Sequence, residues 1–509
     1  MRIYYLLPLI LFGLTSQINA QSVSSKIIDS VTQKPIPYAT IQWASNKGAI
    51  TNEEGRFSLL LQENMKETDS LFISCLGYES IGRPLNSFDE ATIYMVPSAI
   101  ELKEVLVSNK QYTAEEIIDL VEENLQKNYN FGFSKKRIFF RRSSHQNMKK
   151  SDYKLKKSTI EEFNKPSIDS IIASLPKRQS YYTEILGDLY GNFEEDDQKL
   201  DLIKASELYD KNNQLTFENV EKKFNKILNE NVKKDSYFKV KSGFFGTKLD
   251  ADDFFETEVD SSDVDALNEK LKKAKNDENE RKKNFASYRR ELLGKLMAKL
   301  PILDDSDLDF VTSSRKYRYT LQDFTYLGGN AVYVIDFVPK RSADYRGRLY
   351  VNSDDFALIR ADFENVKAIK NFKLLGISIN RYLFKGKTIF SKDNDGRYSI
   401  NYLEIEDGSR VGIKRPLKII ELNKKVKGRN KQNEFSAKVD IRMNNVDKNE
   451  LVIFDTDDIT PSTFTNFKEK NTVLPTYMPS YNPEFWSGYN IIEPNQAIRE
   501  FTAGEVISE

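Results

Sequence analysis

Hydrophobic and polar residues alternate with a period of two in three short stretches between residues 326 and 364. Successive side chains of a β-strand point to opposite faces, so each stretch predicts a strand with one apolar face. Turn-forming residues separate the stretches at 344–347 and at 353–355. The pattern therefore predicts an antiparallel meander of three strands.

The apolar face of this meander is the first candidate binding surface. An apolar, curved sheet is a suitable site for an apolar ligand, and it is equally the ordinary filled core of a β-rich module. The alternation does not distinguish the two, so both interpretations stay open. The residues assigned to this face are Tyr333, Ile335, Phe337, Leu349, Val351, Ile359 and Phe363.

A helix is predicted shortly after residue 112. Apolar residues recur at helical spacing from Ile117 to Leu125. Thr113 stands where an N-cap is expected, and Glu116 follows three positions later, which is the pattern of a capping box.

Two later segments also have helical periodicity. Residues 219–229 carry their apolar side chains, among them Phe224 and Leu228, on one side and lysines on the other. Residues 262–300 carry two apolar stripes and predict a long helix or a helical hairpin, which Pro301 ends.

More β-patterned segments follow the meander. They lie at 372–384, with a break at Gly376, and at 398–406, 411–422 and 435–443. Many antiparallel strands in succession predict a large sheet. The order of a helix, strands, a helical insert and further strands resembles the outer-membrane lipoprotein carrier fold, an open half-barrel. Residues 347–359 are similar to the recurring strand pair of that group.

Residues 22–107 have the pattern of a small β-sandwich, with short apolar runs between turn formers. Five motifs follow one another: Ile28–Asp29, Lys34–Ile41, Thr51–Phe57, Ile73–Tyr78 and Leu102–Val105. The series resembles the carboxypeptidase regulatory-like domain, a transthyretin-like sandwich found at the front of many exported Gram-negative envelope proteins. The resemblance implies a non-catalytic companion domain and not a peptidase.

The chain is thus predicted to be multidomain and mainly β, with a helical insert. The N-terminal β-sandwich, 22–107, precedes an α+β module, 112–470, that is built on a curved antiparallel sheet. The helical insert occupies about 262–300, and 471–509 form a tail.

The N-terminus predicts a secretory signal peptide over 1–20. Arg2 supplies the basic start, 6–14 the apolar centre, and Ala20 a small residue at the expected cleavage point. No later apolar run has the length of a membrane span, so no transmembrane helix is expected after cleavage.

The tail is rich in proline and aromatic residues, which predicts an irregular, extended path. Two interpretations of its rings stay open. They could be buried against the rest of the protein for stability, or Tyr481, Trp486 and Tyr489 could contact a glycan or a membrane interface.

The composition limits the partners and the catalytic sites that the chain can have. The 76 basic and 76 acidic residues balance, so no net charge favours nucleic acid. His145 is the only histidine and Cys75 the only cysteine, which excludes the usual zinc sites and makes a peptidase activity unexpected. No cofactor motif is present. Clusters of acids, such as 304–309, leave a carboxylate-dependent hydrolase as an alternative.

We therefore expect a non-enzymatic exported protein of the cell envelope, in the periplasm, at the outer membrane or on the cell surface. Its sandwich would serve as a docking or spacer domain. Its sheet would hold an apolar ligand or an envelope partner, and the expected partners are an envelope protein, a lipid or a glycan. A surface carbohydrate-binding or adhesion protein is the first alternative, and the hydrolase is the second.

Overall fold

A computed structural model describes residues 22–44, 47–61, 65–66, 69–85, 91–98, 112–233, 235–243, 245–250, 264–341, 343–392, 395–426 and 430–504. The predicted signal peptide, 1–20, and the last predicted sandwich segment, 105–107, lie outside these ranges. The prediction of a mainly β protein with a curved antiparallel sheet and a helical insert is confirmed.

Two small sheets pack together at the N-terminus. Their strands are β1 (Ser22–Asp29), β2 (Thr40–Ala44), β3 (Lys47–Ile50), β4 (Arg56–Leu60), β5 (Ser70–Ser74), β6 (Ile81–Pro84) and β7 (Thr92–Met95). One sheet has the order β4-β1-β7 and the other β3-β2-β5-β6. The two sheets share a core, in which Ile27 and Leu59 of the first sheet and Ile41 and Ile73 of the second are fully buried. We call this unit the sandwich.

The remaining strands belong to one large sheet. They are β8 (Ser134–Ser158), β9 (Arg178–Gly191), β10 (Gln198–Tyr209), β11 (Ser236–Ser242), β12 (Phe245–Asp250), β13 (Tyr317–Leu327), β14 (Asn330–Pro339), β15 (Tyr345–Asn352), β16 (Leu358–Asn365), β17 (Lys370–Leu374), β18 (Ile377–Lys392), β19 (Tyr398–Asn423), β20 (Lys431–Asp458) and β21 (Thr476–Met478). The main order is β13-β14-β15-β16-β18-β19-β20-β8-β9-β10-β21, and β11, β12 and β17 pair beside it. The predicted meander corresponds to β14, β15 and β16.

The helices are α1 (Ala114–Asn128), α2 (Lys165–Ser174), α3 (Lys211–Asn231), α4 (Val264–Met297), α5 (Pro461–Asn466) and α6 (Gln496–Arg499). The capping box of α1 forms as predicted: the Thr113 hydroxyl accepts from the backbone N–H of Glu116, and Glu116 accepts from that of Thr113. Where the helical insert is predicted, the structure has the single helix α4.

Helix α1, the C-terminal half of α4 and the segment 300–311 fill one face of the sheet, which we call the inner face. Phe310, from the irregular segment, stacks on Phe337 with 4.5 Å between ring centroids. Ile117 of α1 and Leu293 of α4 are fully buried in the same core. The inner face of the meander is therefore covered.

Glycines make room for large rings on this face. Phe337, Gly347, Phe363 and Gly386 are direct cross-strand neighbours on four successive strands. A Cβ on Gly386 would lie 2.6 Å from Cζ of Phe363 and 2.3 Å from the carbonyl oxygen of Glu404. The alternation of phenylalanine and glycine lets the rings lie over neighbouring backbone, which suits a coiled sheet. Gly347, predicted in a turn, lies inside β15.

Strands β8, β19 and β20 are unusually long, at 25, 26 and 28 residues. Strand β9 pairs with β8 only as far as Asn147, so the three long strands continue beyond β9 and β10. We call this continuation, together with β11, the ribbon. Helices α2 and α3 lie on its inner side, where Leu228 clusters with Ile419 and Phe435.

The sandwich lies against the opposite, outer face of the sheet. The Tyr38 hydroxyl donates to Glu404 of β19 at 3.1 Å, and Ile50 packs in a cluster with Phe139 and Tyr402. Lys448 of β20 pairs with Glu53 of the sandwich. Burial raises the pKa of Glu450 beside this contact.

We expect Gly386→Val to lower the free energy of unfolding by about 2 kcal/mol or more, because the new side chain meets Phe363 and fixed backbone. Urea unfolding followed by circular dichroism measures the loss. The matched control is Lys385→Val, the exposed neighbour that pairs with Glu406, for which the loss should stay below about 1 kcal/mol. Equal effects of the two changes would contradict the packing argument.

Candidate functional site

The structure buries the seven residues of the predicted apolar face. The exposed fraction of each side chain is between 0% and 8% for Tyr333, Ile335, Phe337, Leu349, Val351, Ile359 and Phe363. Protein side chains already occupy the space in front of them, including Phe310 and Phe356, which stacks on Tyr333. Among the described residues, the inner side of the meander is therefore part of a filled core.

Ile359 differs from the other six. A β-bulge in the pairing of β15 with β16 places Val351 opposite Leu358, so that Ile359 is the extra residue. Ile359 consequently lines a cavity of about 210 Å³ between sheet and sandwich, together with Tyr38 and Cys75. Simple alternation cannot anticipate a bulge, which explains why the sequence pattern grouped Ile359 with the others.

The three aromatic residues of the tail come together. Tyr481, Trp486 and Tyr489 line an open cavity of about 620 Å³ between the tail and strands β1 and β4 of the sandwich. Trp486 is only 3% exposed, packs edge-on against Phe139, and donates its indole N–H to Glu184 at 2.7 Å. Tyr489 is 38% exposed. The tail therefore buries one ring and exposes another.

A buried ion pair anchors the tail to the outer face. Arg141 and Glu184 lie on neighbouring strands, are almost fully buried, and are 2.7 Å apart. Arg141 also donates to the carbonyl oxygen of Ile492 at 2.8 Å. Asn52 of the sandwich donates to the carbonyl oxygens of Glu493 and Pro494. The tail thus lies between the sheet and the sandwich and bonds to both.

His145 lies on the outer face near this tail. Its Nδ1 is 2.9 Å from the hydroxyl of Ser180, and its ring packs edge-on against Tyr182. Burial lowers its pKa. Within the described part of the chain, no carboxylate hydrogen-bonds to the other ring nitrogen, so the arrangement lacks the orienting acid of a catalytic triad.

The best-formed apolar cavity lies under α2 and α3, at the far end of the ribbon. Its volume is about 310 Å³, within the range of small-molecule sites. Nearly all of its lining is aliphatic or aromatic. The lining residues are Ile160, Phe163, Ile168, Ile171, Phe224, Leu228, Phe238, Val240, Ile419, Glu421, Asn433, Glu434 and Phe435.

The polar residues at this cavity are already paired with one another. Glu421 accepts from the Ser236 hydroxyl at 2.6 Å and from Asn433 at 2.7 Å. Hydrogen bonds from Lys418 and Lys431 lower the pKa of Glu434 to about 2. Because these groups are satisfied, the cavity presents apolar surface to an occupant.

A second, polar cavity of about 720 Å³ lies at the other end of α3. Alternate residues of three neighbouring strands form its floor, and α3 and α4 cover it. The lining residues are Arg142, Ser144, Gln146, Gln179, Ser180, Tyr181, Thr183, Glu207, Tyr209, Asp210, Asn213, Glu221, Phe285, Tyr288 and Arg289. Tyr181 and Tyr209 stack with 5.1 Å between centroids.

Sequence analysis found part of the apolar cavity and missed the polar one. It identified the apolar side of α3, including Phe224 and Leu228. The polar cavity gave no signal, because alternate polar residues on β8 and β9 have the same pattern as a solvent-facing strand. Only the position of α4 shows that they are enclosed.

Comparison with known proteins supports the N-terminal assignment. Residues 23–107 match the family model described as CarboxypepD_reg-like domain. The predicted resemblance of this part is thereby confirmed. No curated protein matches the chain significantly.

Several solved structures are similar at a low level. A LolA superfamily protein from Nitrosomonas europaea is 11% identical, with 70% of this chain and 99% of that chain covered and a TM-score of 0.17. A DUF1329 family protein from Desulfovibrio piger is 12% identical, with 65% and 92% covered and a TM-score of 0.17. The MucA/MucB complex of Pseudomonas aeruginosa gives 6% identity, 64% and 93% coverage and a TM-score of 0.15. Scores this low carry no argument about function.

Among the residues that the structure describes, no helix is both long enough and apolar enough to cross a bilayer. The same ranges contain no group of three or more His, Cys, Asp or Glu side chains placed to hold a metal ion.

We expect Glu184→Gln to lower the free energy of unfolding by about 3–5 kcal/mol, because it leaves the Arg141 charge buried without a counter-charge. Thermal or urea unfolding measures the effect. Glu364→Gln removes an exposed partner of Arg346 and is the control, with an expected loss below about 1 kcal/mol. A loss at Glu184 no larger than the control would show that the pair does not anchor the tail.

Proposed function

We propose that this protein is a non-enzymatic protein of the Gram-negative cell envelope that binds an acyl chain or a similar apolar ligand. The ligand occupies the apolar cavity between α2, α3 and the ribbon, and the sandwich docks the protein to an envelope partner. The observation that carries the proposal is the 310 Å³ cavity with its nearly continuous apolar lining.

Packing physics supports a ligand in this cavity. Protein interiors are close-packed, and voids larger than a water molecule are few. Elsewhere on the inner face, rings such as Phe310 and Phe337 stack directly on each other. An apolar void of this size costs free energy in the empty protein, and an apolar chain that fills it recovers the lost contacts.

The envelope location rests on two further observations. Residues 23–107 match a domain that resembles the leading sandwich of exported envelope proteins. Residues 1–20 predict a signal peptide. The proposal of a non-enzymatic role is supported by the single His145 and the single Cys75 and by the hydrogen-bond partner of His145, which in the described part of the chain is Ser180 and not a carboxylate.

The test is binding of the neutral apolar dye N-phenyl-1-naphthylamine to the purified protein. Val240 lines the cavity, so Val240→Phe should fill it, raise the free energy of unfolding by about 0.5–2 kcal/mol, and reduce dye binding at least tenfold. Lys239→Phe, on the exposed side of the same strand, should leave dye binding unchanged. Unchanged binding in Val240→Phe would reject this cavity as the site.

Carbohydrate binding is a second candidate function, and one observation favours it. Tyr481 and Tyr489 line the same open cavity as serines of β1 and β4, and sugars bind to such mixtures of rings and hydroxyls. The buried position of Trp486 removes the largest ring from that surface. The apolar cavity is therefore the better supported site.

If the tail cavity binds sugars, Tyr489→Ala should weaken retention of the protein on an immobilised envelope polysaccharide by about tenfold, since one stacked ring is lost. Affinity electrophoresis measures this. The exposed Tyr94, on β7, does not line this cavity and provides the control change Tyr94→Ala. No retention of the unchanged protein on any envelope polysaccharide would end this alternative.

A further inference from the structure

Helix α3 lines both the apolar and the polar cavity on the inner face. Glu221 faces the polar cavity, and Phe224, three residues later, faces the apolar one. Three residues advance an α-helix by about 4.5 Å, so the two linings meet within one turn. The two cavities therefore adjoin along α3, and a ligand long enough to span both would place one end in each.

Two arginines in the polar cavity have hydrogen-bonding capacity to spare. Arg289, of α4, is 8% exposed, and Arg142 comes from β8. The Nε–H of each is buried and has no acceptor. A buried N–H without a partner is unfavourable, and both arginine side chains line the polar cavity, which an acceptor atom can enter.

The existing partners of Arg289 are weak. Its Nη2 lies 3.3 Å from the Thr183 hydroxyl and 3.6 Å from Glu207, and the second distance is too long for a hydrogen bond. Burial lowers the pKa of Arg289, even with Glu207 nearby, and the charge of Arg142 acts in the same direction. The guanidinium is thus a buried cation without a full set of acceptors.

The position of the Arg289 guanidinium is nevertheless fixed. Its Cζ lies 4.3 Å from the ring centroid of Phe285 and 5.0 Å from that of Tyr288. Arg142 pairs with Asp447 at 3.2 Å and donates to the Tyr288 hydroxyl, so Tyr288 contacts both arginines. Two planar donor groups held in this way are arranged in advance for the oxygens of an anion.

We infer that Arg142 and Arg289 bind an oxyanion, a carboxylate or a phosphate, at the end of the ligand that fills the apolar cavity. The ligand is then an anionic amphiphile rather than a neutral hydrocarbon. This inference rests on the proposed function. Three acidic residues also line the cavity: Glu207, Asp210 and Glu221. Glu207 competes with the ligand for Arg289. Asp210 caps the start of α3.

The experiment compares palmitate with cetyl alcohol, a neutral molecule with the same chain length, by displacement of the neutral dye from the full chain. Palmitate should bind roughly tenfold to hundredfold more tightly, the size expected for hydrogen bonds to a charged group. Arg289→Gln should remove this difference and leave the affinity for cetyl alcohol unchanged. Retained alcohol binding also shows that the variant is folded.

Two matched variants distinguish an effect of the Arg289 charge from a general effect on the structure. Arg290→Gln alters the neighbouring residue, which pairs with Glu469 and does not line the cavity, and it should preserve the preference for palmitate. Glu207→Gln removes the competing carboxylate and should increase palmitate affinity severalfold with no effect on the alcohol. If Arg289 only stabilised the fold, Glu207→Gln would not increase the affinity for palmitate.

The outcomes separate the two proposals. If neither palmitate nor cetyl alcohol displaces the dye, the proposed function fails. If both bind equally and Arg289→Gln has no effect, the oxyanion site is rejected and the apolar site stands. Inorganic phosphate should compete with palmitate and not with the alcohol. Phosphate that binds to the protein without weakening palmitate would show a free-anion site and overturn the inference.

Discussion

The length of β8, β19 and β20 is the constraint on which the rest of the module depends. These strands continue beyond β9 and β10, so the inner face is longer than the core that α1, α4 and 300–311 can fill. At the meander end the face is packed to full burial. At the ribbon end, among the described residues, α2 and α3 cover the face and leave the apolar cavity, and the polar cavity adjoins it between α3, α4 and strands β8–β10. The candidate site therefore lies where the inner face of the sheet extends beyond the core that α1, α4 and 300–311 fill.

On the outer face, a buried ion pair determines how the tail and the sandwich contact the sheet. Burying Arg141 and Glu184 in the centre of the sheet is unfavourable unless their remaining donors and acceptors are satisfied. The carbonyl oxygens of Ile492 and Glu493 and the indole of Trp486 satisfy them, and the Glu493 carbonyl also accepts from Asn52 of the sandwich. One set of polar contacts thus fixes the tail and positions the sandwich on the sheet. The aromatic residues of the tail are shared between this structural role and the open cavity beside it.

The sequence predicted local structure well and contacts between distant segments poorly. Alternation identified the three strands of the meander, and the capping box at Thr113 identified the start of α1, because both signals are local. Alternation also indicated which side of each strand is apolar. It could not show that Phe310, from a segment without periodicity, would cover that side. The polar sequence of β8 after Arg142 gives no sign of a long strand, so neither the ribbon nor the polar cavity could be foreseen, and of the apolar cavity only the α3 side was identified.

The contrast between the two ends of the inner face is itself the strongest reason to assign a ligand. A chain that places phenylalanines over glycines on four successive strands packs its core closely. The same chain leaves an apolar cavity at Phe224 and Leu228, and the neighbouring polar cavity contains buried arginine donors without acceptors, Arg142 of β8 and Arg289 of α4. Either defect alone would be a local loss of stability. Because α3 lines both cavities, one amphiphilic ligand that spans them would resolve both defects: its chain fills the apolar cavity and its charged end satisfies the donors.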